Sequence, residues 1–86
     1  MYTVTWSQFA LDSLAATWIG LSPDDRRQLS ESVRLTDLHL RQNAPRVGES
    51  RVGKARILFV EKLGLEFNIE ELDRRVEVFR VWLIRK

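Results

Sequence analysis

Cysteine is missing from this 86-residue sequence, and histidine occurs once, as His39. Disulfide scaffolds, zinc sites with thiolate ligands and cysteine nucleophiles are therefore excluded. A lone histidine has no partner with which to share a metal ion. The glycines of "GESRVG" do not match a phosphate-binding loop, and no serine–histidine–acid pattern is present. We therefore expect neither a metal site nor a cofactor.

Long apolar runs are also missing, since no stretch approaches the ~18 residues that a membrane span requires. The opening "MYTVTWSQFALDS" lacks the basic start and apolar run of a signal peptide. Apolar residues make up 44% of the chain and charged residues 30%, which is typical of a small globular domain. We expect one cytoplasmic domain over residues 1–86, without membrane contact.

The first part of the chain predicts a strand followed by a helix. "YTVTW" alternates with a period of two and is rich in β-branched and aromatic residues, as strands are. Ser7 suits the N-cap of a helix, and Gly20 predicts a left-handed end to it. Apolar residues recur between them at helical spacing: Phe9, Ala10, Leu14 and Trp18.

A second helix is predicted from about Pro23 to Arg41. Ser22 is a favourable N-cap, proline suits the first turn, and the two aspartates that follow complement the helix dipole. Pro45 prevents the helix from continuing. The apolar stripe comprises Leu29, Val33, Thr36 and Leu40, widened by Leu38. The short link to the first helix predicts an antiparallel helical hairpin.

Three further strands are predicted in "ARILFVE", "LGLEFNIEE" and "RVEVFRVWLIRK". The resulting order, β-α-α-β-β-β, describes an α+β domain with a helical hairpin on one face of a small, mainly antiparallel sheet. Phe59 and Phe67 are expected in its core.

The last strand is apolar on both alternations. One set is Val76, Val78, Arg80, Trp82 and Ile84, and the other is Glu77, Phe79, Val81 and Leu83. One set must pack on the helices. The other is either covered within the domain, as in a central strand, or contacts another chain.

Cations are concentrated in "RQNAPRVGESRVGKAR", where five of them accompany one acid. Lys54 and Arg56 alternate into the next strand, and Arg85 and Lys86 end the last one. If these strands are close together, the four cations could hold a phosphate or stabilise charge at a transferring phosphoryl group. The alternatives are a solvated loop and a strand edge where cations discourage unwanted pairing.

Three stretches resemble the RelE/ParE superfamily of toxins from bacterial type II toxin–antitoxin systems. They are "YTVTWSQFALDSL", "LHLRQNAPRVGESR" with its leucine–x–x–asparagine–x–proline helix end, and "RILFVEKLGLEFNIEELDRRVEVFRVW". The resemblance covers nearly the whole chain. It implies a toxin that a cognate antitoxin neutralises, as in the systems that stabilise plasmids. The candidates for antitoxin binding are Arg80, Trp82 and Ile84. The resemblance also implies that the chain forms a homodimer or a hetero-oligomer with its antitoxin.

Activity divides within this superfamily between ribosome-dependent mRNA cleavage and inhibition of DNA gyrase. The resemblance makes Lys54, Arg56, Arg85 and Lys86 the candidate catalytic residues for RNA cleavage. Gly64 stands where the ribonucleases carry an arginine, and no tyrosine or histidine follows Trp82. The set therefore offers stabilisation of phosphate charge but no group to activate a 2′-hydroxyl. A catalytically inert relative, a non-catalytic nucleic-acid-binding module and a homo-oligomeric interaction protein stay open as alternatives.

Overall fold

The structure, a computed structural model, describes residues 1–50, 53 and 55–84. The elements follow one another as β1 (Thr3–Trp6), α1 (Gln8–Ile19), α2 (Pro23–Asn43), a 3-10 turn (Ala44–Arg46), β2 (Glu49–Ser50), β3 (Ala55–Val60), β4 (Leu63–Glu70) and β5 (Arg75–Leu83). The strands form one sheet in the order β1-β5-β4-β3-β2, parallel only between β1 and β5. The predicted α+β architecture is confirmed, with β2 as an additional short strand.

Both helices begin where the sequence predicts them. The Ser7 hydroxyl accepts a hydrogen bond from the Ala10 N–H at 3.1 Å, and the Ser22 hydroxyl accepts one from the Asp25 N–H at 3.2 Å. These bonds satisfy donors that have no partner inside the helix. Neither helix in the described part of the chain is long and apolar enough to cross a membrane.

The predicted left-handed end of α1 is wrong, because Gly20 has a φ of −85°. The Gly20 N–H donates to the Thr17 carbonyl at 3.2 Å, and the Leu21 N–H donates to the Trp18 carbonyl at 3.1 Å. The Arg26 guanidinium donates to the Trp18 carbonyl at 3.0 Å and to the Ile19 carbonyl at 3.2 Å. The helix therefore ends with local backbone hydrogen bonds and a side chain from α2, without the left-handed glycine that the sequence suggested.

The core lies between the helices and one face of the sheet. Leu29, Thr36 and Leu40 are buried on α2, as the predicted stripe requires. The inclusion of Leu38 and Phe9 was wrong, since they are 41% and 65% exposed. Both lie on helix flanks that turn away from the sheet. The fully buried side chains from the sheet are Leu63, Leu65, Phe67, Val76 and Val78.

A β-bulge in β5 explains why both alternations of the last strand are apolar. Glu66 pairs with Arg80 and Phe67 with Val78, so Phe79 has no partner in β4. The extra residue reverses the alternation. Val76 and Val78 face the helices before the bulge, and Val81 and Leu83 pack against the core after it. The two sets in the predicted alternation were therefore wrong, because each contributes residues to both faces.

The bulge also contacts the beginning of α1. The Ser7 N–H donates to the Val78 carbonyl at 2.8 Å, and the Ser7 hydroxyl donates to the Phe79 carbonyl at 3.3 Å. One serine therefore caps the helix and fixes it to the irregular part of β5.

Tyr2, which directly precedes β1 and is only 8% exposed, anchors the beginning of that strand. Its hydroxyl donates to the Glu71 carboxylate at 2.8 Å, in the turn between β4 and β5. This hydrogen bond raises the pKa of the Tyr2 phenol, and burial and the charge of Glu71 act in the same direction.

Two phenylalanines provide a matched test of this arrangement. Phe67→Ala should lower the free energy of unfolding by about 3–5 kcal/mol, because it empties a fully buried site. Phe59→Ala should cost less than about 1 kcal/mol, because the Phe59 ring is 56% exposed. Urea unfolding of both variants measures the difference. Equal losses would contradict the assignment of the two rings to opposite faces.

Candidate functional site: the open face of the sheet

The helices cover one face of the sheet and leave the other uncovered within the described residues. We call this uncovered surface of β3, β4 and β5 the open face. Cross-strand pairing places three rows of side chains on it, namely Phe59, Gly64 and Trp82, then Ile57, Glu66 and Arg80, then Ala55, Asn68 and Glu77. Glu70 and Arg75 form a fourth row across β4 and β5.

One end of the open face is aromatic. The rings of Phe59 and Trp82 meet edge to face, with centroids 6.2 Å apart, although they belong to strands on either side of β4. They can meet because Gly64 lies between them. A Cβ at position 64 would overlap the indole, only 2.5 Å from Nε1 of Trp82. Glycine therefore allows the indole to lie against the sheet and form an apolar shelf with Phe59.

An ion pair follows the shelf. A guanidinium nitrogen of Arg80 lies 2.8 Å from a carboxylate oxygen of Glu66 on the neighbouring strand. The same guanidinium is 5.7 Å from the centroid of the Trp82 ring, within the range of a cation–π contact. The positive charge of Arg80 is therefore balanced by Glu66 and directed at the indole.

The other end of the open face is polar and acidic. A shallow cleft of about 480 Å³ lies there, lined by Thr5, Asn68, Ile69, Glu70, Arg75 and Glu77. Arg75 pairs with Asp73 at 3.6 Å. Within the described residues, no cation pairs with Glu70 or Glu77. Among the described residues that line this cleft, two are carboxylates, Glu70 and Glu77, and one is a cation, Arg75.

Of the four predicted catalytic residues, only Arg56 is described. Lys54, Arg85 and Lys86 lie outside the described residues. The two strands from which these cations were expected to converge are not neighbours, since β4 separates β3 from β5. Whether the four residues act together stays a prediction.

Arg56 lies on the helix side of the sheet, opposite Phe67, and not on the open face. Its guanidinium donates to the carbonyls of Val47 at 3.0 Å and Gly48 at 3.1 Å, and to the Ser50 hydroxyl at 3.1 Å. Gly48 has a φ of 77°, and a Cβ there would lie 2.6 Å from the Ile57 carbonyl oxygen. Arg56 therefore holds a tight glycine turn against β3.

The three predicted antitoxin-binding residues do not form one group. Arg80 and Trp82 lie together on the open face. Ile84 follows β5 and lines a cleft of about 530 Å³ with the beginning of α2 and the turn between β3 and β4. The Ile84 N–H donates to the Lys62 carbonyl in that turn at 2.6 Å.

Sequence reasoning missed Phe59, Gly64 and Glu77 as parts of one surface. The expectation that Phe59 belongs to the core was wrong, because the residue lies on the open face and is 56% exposed. The alternation in "ARILFV" carried the signal, since Arg56, Leu58 and Val60 share the face opposite to that of Phe59. Among the described residues, no group of three side chains could hold a metal ion.

No protein-family model matches the chain, and no curated protein sequence matches it. Several solved structures do match the chain. A chain of the chromosomal ParDE toxin–antitoxin system from P. aeruginosa is 18% identical with a TM-score of 0.76, over 99% of this chain and 98% of that one. A chain of the RelBE2 toxin–antitoxin complex from Mycobacterium tuberculosis is 20% identical with a TM-score of 0.71, over 95% of this chain and 90% of that one.

The isolated E. coli RelE toxin is 16% identical with a TM-score of 0.61, over 100% of this chain and 87% of that one. The likeness extends over both helices and the whole sheet. The chain therefore has the fold seen in these solved toxin–antitoxin chains, as the resemblance of the three sequence stretches predicted.

The contact between Gly64 and Trp82 predicts a strong coupling between the two positions. Gly64→Ala should cost about 1–3 kcal/mol of unfolding free energy, because the new methyl displaces the indole. In a Trp82→Ala background the same change should cost almost nothing. Urea unfolding of the four proteins in a double-mutant cycle measures the coupling. Gly20→Ala is the control, since a Cβ added there would lie 3.8 Å from the Thr17 carbonyl oxygen, at an ordinary contact distance. Additive losses would contradict the contact.

The hydrogen bonds of Arg56 predict a structural role for its side chain. Arg56→Ala should lower the free energy of unfolding by about 1–3 kcal/mol and speed hydrogen exchange in β2, because two carbonyls lose their donor. Arg56→Lys should restore only part of this, since an ammonium cannot reproduce the planar fork. Arg75→Ala is the exposed control, with an expected effect within about 0.5 kcal/mol. An Arg56→Ala protein as stable as this control would refute the role.

Proposed function

We propose that this chain is the toxin of a bacterial type II toxin–antitoxin pair, inactive while a cognate antitoxin covers its open face. The observation that carries the proposal is the likeness of fold, end to end, to chains solved as parts of such systems. The aromatic shelf supports it, because Phe59 is exposed beside the half-buried Trp82, and exposed apolar clusters mark sites of protein contact.

For the target, we propose DNA gyrase over ribosome-bound mRNA. The chemistry of the open face supports this choice. The indole of Trp82 occupies the space above Gly64, where the ribonucleases of the superfamily are expected to carry an arginine. Glu70 and Glu77 add negative charge to the same face, whereas the charge of Glu66 is balanced by Arg80. Carboxylates disfavour a phosphate backbone, whereas a protein surface can complement them.

Ribosome-dependent mRNA cleavage is the second candidate. It would use Lys54, Arg56, Arg85 and Lys86, and Arg56 supports it by its position at the beginning of β3, beside the basic loop. Because Arg56 also holds that loop, loss of activity in Arg56→Ala alone cannot separate catalysis from folding. Arg56→Lys keeps the charge, and its stability can be measured beside its activity.

Pulse labelling of DNA and protein synthesis in bacteria, after tightly controlled induction, distinguishes the two targets. The proposal predicts that DNA synthesis falls before protein synthesis, and that the purified chain inhibits supercoiling by gyrase. Arg56→Lys should retain this effect in proportion to its folded fraction.

A prompt fall in translation, lost in an Arg56→Lys protein that is still folded, would instead establish RNA cleavage. Unimpaired growth during expression of the folded chain would refute the toxin function itself. Ile19→Ala, expressed at the same level, controls for non-specific effects of exposed apolar side chains, because Ile19 is exposed on α1 and lies outside the open face.

A further inference from the structure

We propose that this chain forms a homodimer in which the edge strand β1 pairs antiparallel with β1 of a second copy. The contact uses the edge of the sheet and not the surface of β3, β4 and β5. The inference goes beyond the proposed function and does not rest on it, since it concerns how two copies of the chain meet.

β1 is an edge strand without the features that normally prevent unwanted strand pairing. Its four residues, Thr3–Trp6, include no charged residue and no proline. The opposite edge of the sheet differs, since β2 has only two residues and one of them is Glu49. Short strands, charges and prolines are the usual protection of an exposed edge. β1 is therefore the edge that is open to another strand.

The backbone of β1 has two residues whose hydrogen-bonding groups point away from the sheet. The Thr3 N–H donates to the Arg74 carbonyl at 2.9 Å, so the odd-numbered residues of this parallel pair bond to β5. The N–H and C=O groups of Val4 and Trp6 point the other way. Within the described residues, no backbone hydrogen bond from outside the strands reaches them. These four groups are therefore available to a partner strand.

Pairing with a second copy satisfies all four groups in one register. When Val4 lies opposite Trp6 of the second copy, each N–H meets a C=O, and the two-fold symmetry repeats the pair. A register centred on Val4 would bring Tyr2 of the second copy opposite Trp6, but the Tyr2 N–H already donates to the Arg41 carbonyl at 2.9 Å. A register centred on Trp6 would place the helical residue Gln8 opposite Val4.

The side chains of this register suit one another. Thr5 is exposed and meets its own copy at the two-fold axis, and threonine pairs between strands are favourable. Val4 and Trp6 pack against the core on the helix side, where they form an apolar cross-strand pair. Because β1 has no charged residue, no like charges oppose each other within the paired strands.

Phe9 supports the same contact from the helix side of the sheet. Its side chain is 65% exposed, although it lies in the first turn of α1, directly after β1. Leu14 and Trp18 line the groove that faces α2, and Phe9 is nine residues before Trp18, on the opposite side of the helix. A two-fold axis perpendicular to the sheet brings the helices of both copies to the same side. Phe9 then lies beside the second copy, where the contact would bury it.

Charge substitution at Thr5 tests the register, because this residue meets its own copy. Sedimentation velocity should show a concentration-dependent dimer of the wild-type chain, with a dissociation constant in the micromolar range expected for a small contact. Thr5→Lys and Thr5→Glu should each be monomeric, since like charges would lie directly opposite. An equimolar mixture of the two should dimerise again. Thr3→Lys is the control and should still dimerise, because Thr3 lies opposite Ser7 in this register.

The sequence contains no cysteine, which allows a second test by cross-linking. Opposed residues at a non-hydrogen-bonded position have Cα atoms about 4.5 Å apart, within disulfide range. Thr5→Cys should therefore form a disulfide-linked dimer on mild oxidation. Thr3→Cys should not, because the two copies of Thr3 are offset by about 13 Å along the strands.

A substitution at Phe9 tests the contact between the helices and the second copy. Phe9→Ala should weaken the wild-type dimer about tenfold, because the ring is buried only in the dimer. Ile19→Ala is the matched control at the other end of α1 and should leave the dimer unchanged.

A wild-type chain that stays monomeric at millimolar concentration would overturn the inference. So would Thr5→Lys and Thr5→Glu proteins that dimerise alone, or a mixture of the two that stays monomeric while circular dichroism shows both to be folded. If either charged variant is unfolded, cross-linking decides instead, and equal rates for Thr5→Cys and Thr3→Cys would overturn the register. None of these measurements involves growth or gyrase, so the dimer and the proposed function can fail separately.

Discussion

The β-bulge at Phe79 is the constraint on which the two faces of this protein depend. One residue of β5 has no partner in β4. The inward-facing residues are therefore even-numbered before the bulge and odd-numbered after it. Val76 and Val78 fill the core beneath the helices on one side of the bulge, and Val81 and Leu83 do so on the other. The same reversal brings Arg80 and Trp82 to the open face. Ser7 fastens the bulge to α1 through the carbonyls of Val78 and Phe79, so the irregularity is part of the packing.

The open face combines two kinds of chemistry along one direction. Phe59 and Trp82 make an apolar shelf over Gly64, and Glu70 and Glu77 supply negative charge at the far end. Such a gradient is suited to an amphipathic protein segment and unsuited to a phosphate backbone. Arg56, the described member of the predicted catalytic set, lies on the other side of the sheet and holds a glycine turn. The face therefore supports protein recognition more strongly than RNA chemistry.

Much of the fold could be predicted from local signals. The run from Ser22 to Asp25 specified the beginning of α2, and the alternation of Leu63, Leu65 and Phe67 specified the buried face of β4. The bulge could not be predicted, because its only signature is an apolar residue on both alternations, which also fits a strand buried on both faces. The shelf depends on the register of three strands, which no single stretch encodes. The role of Arg56 follows from carbonyls eight and nine residues away, and side-chain type alone cannot predict it.

A ¹H–¹⁵N NMR titration of the uniformly labelled chain tests the central claim most directly, since it locates a ligand on the fold. Purified gyrase should broaden the signals of the indole N–H of Trp82 and the backbone amides of Phe59, Asn68 and Glu77 more than those of α1 and α2. A single-stranded RNA oligonucleotide should not shift these signals. Broadening confined to the helices, or RNA shifts centred on Trp82 and Glu77, would contradict the assignment of the open face to protein recognition.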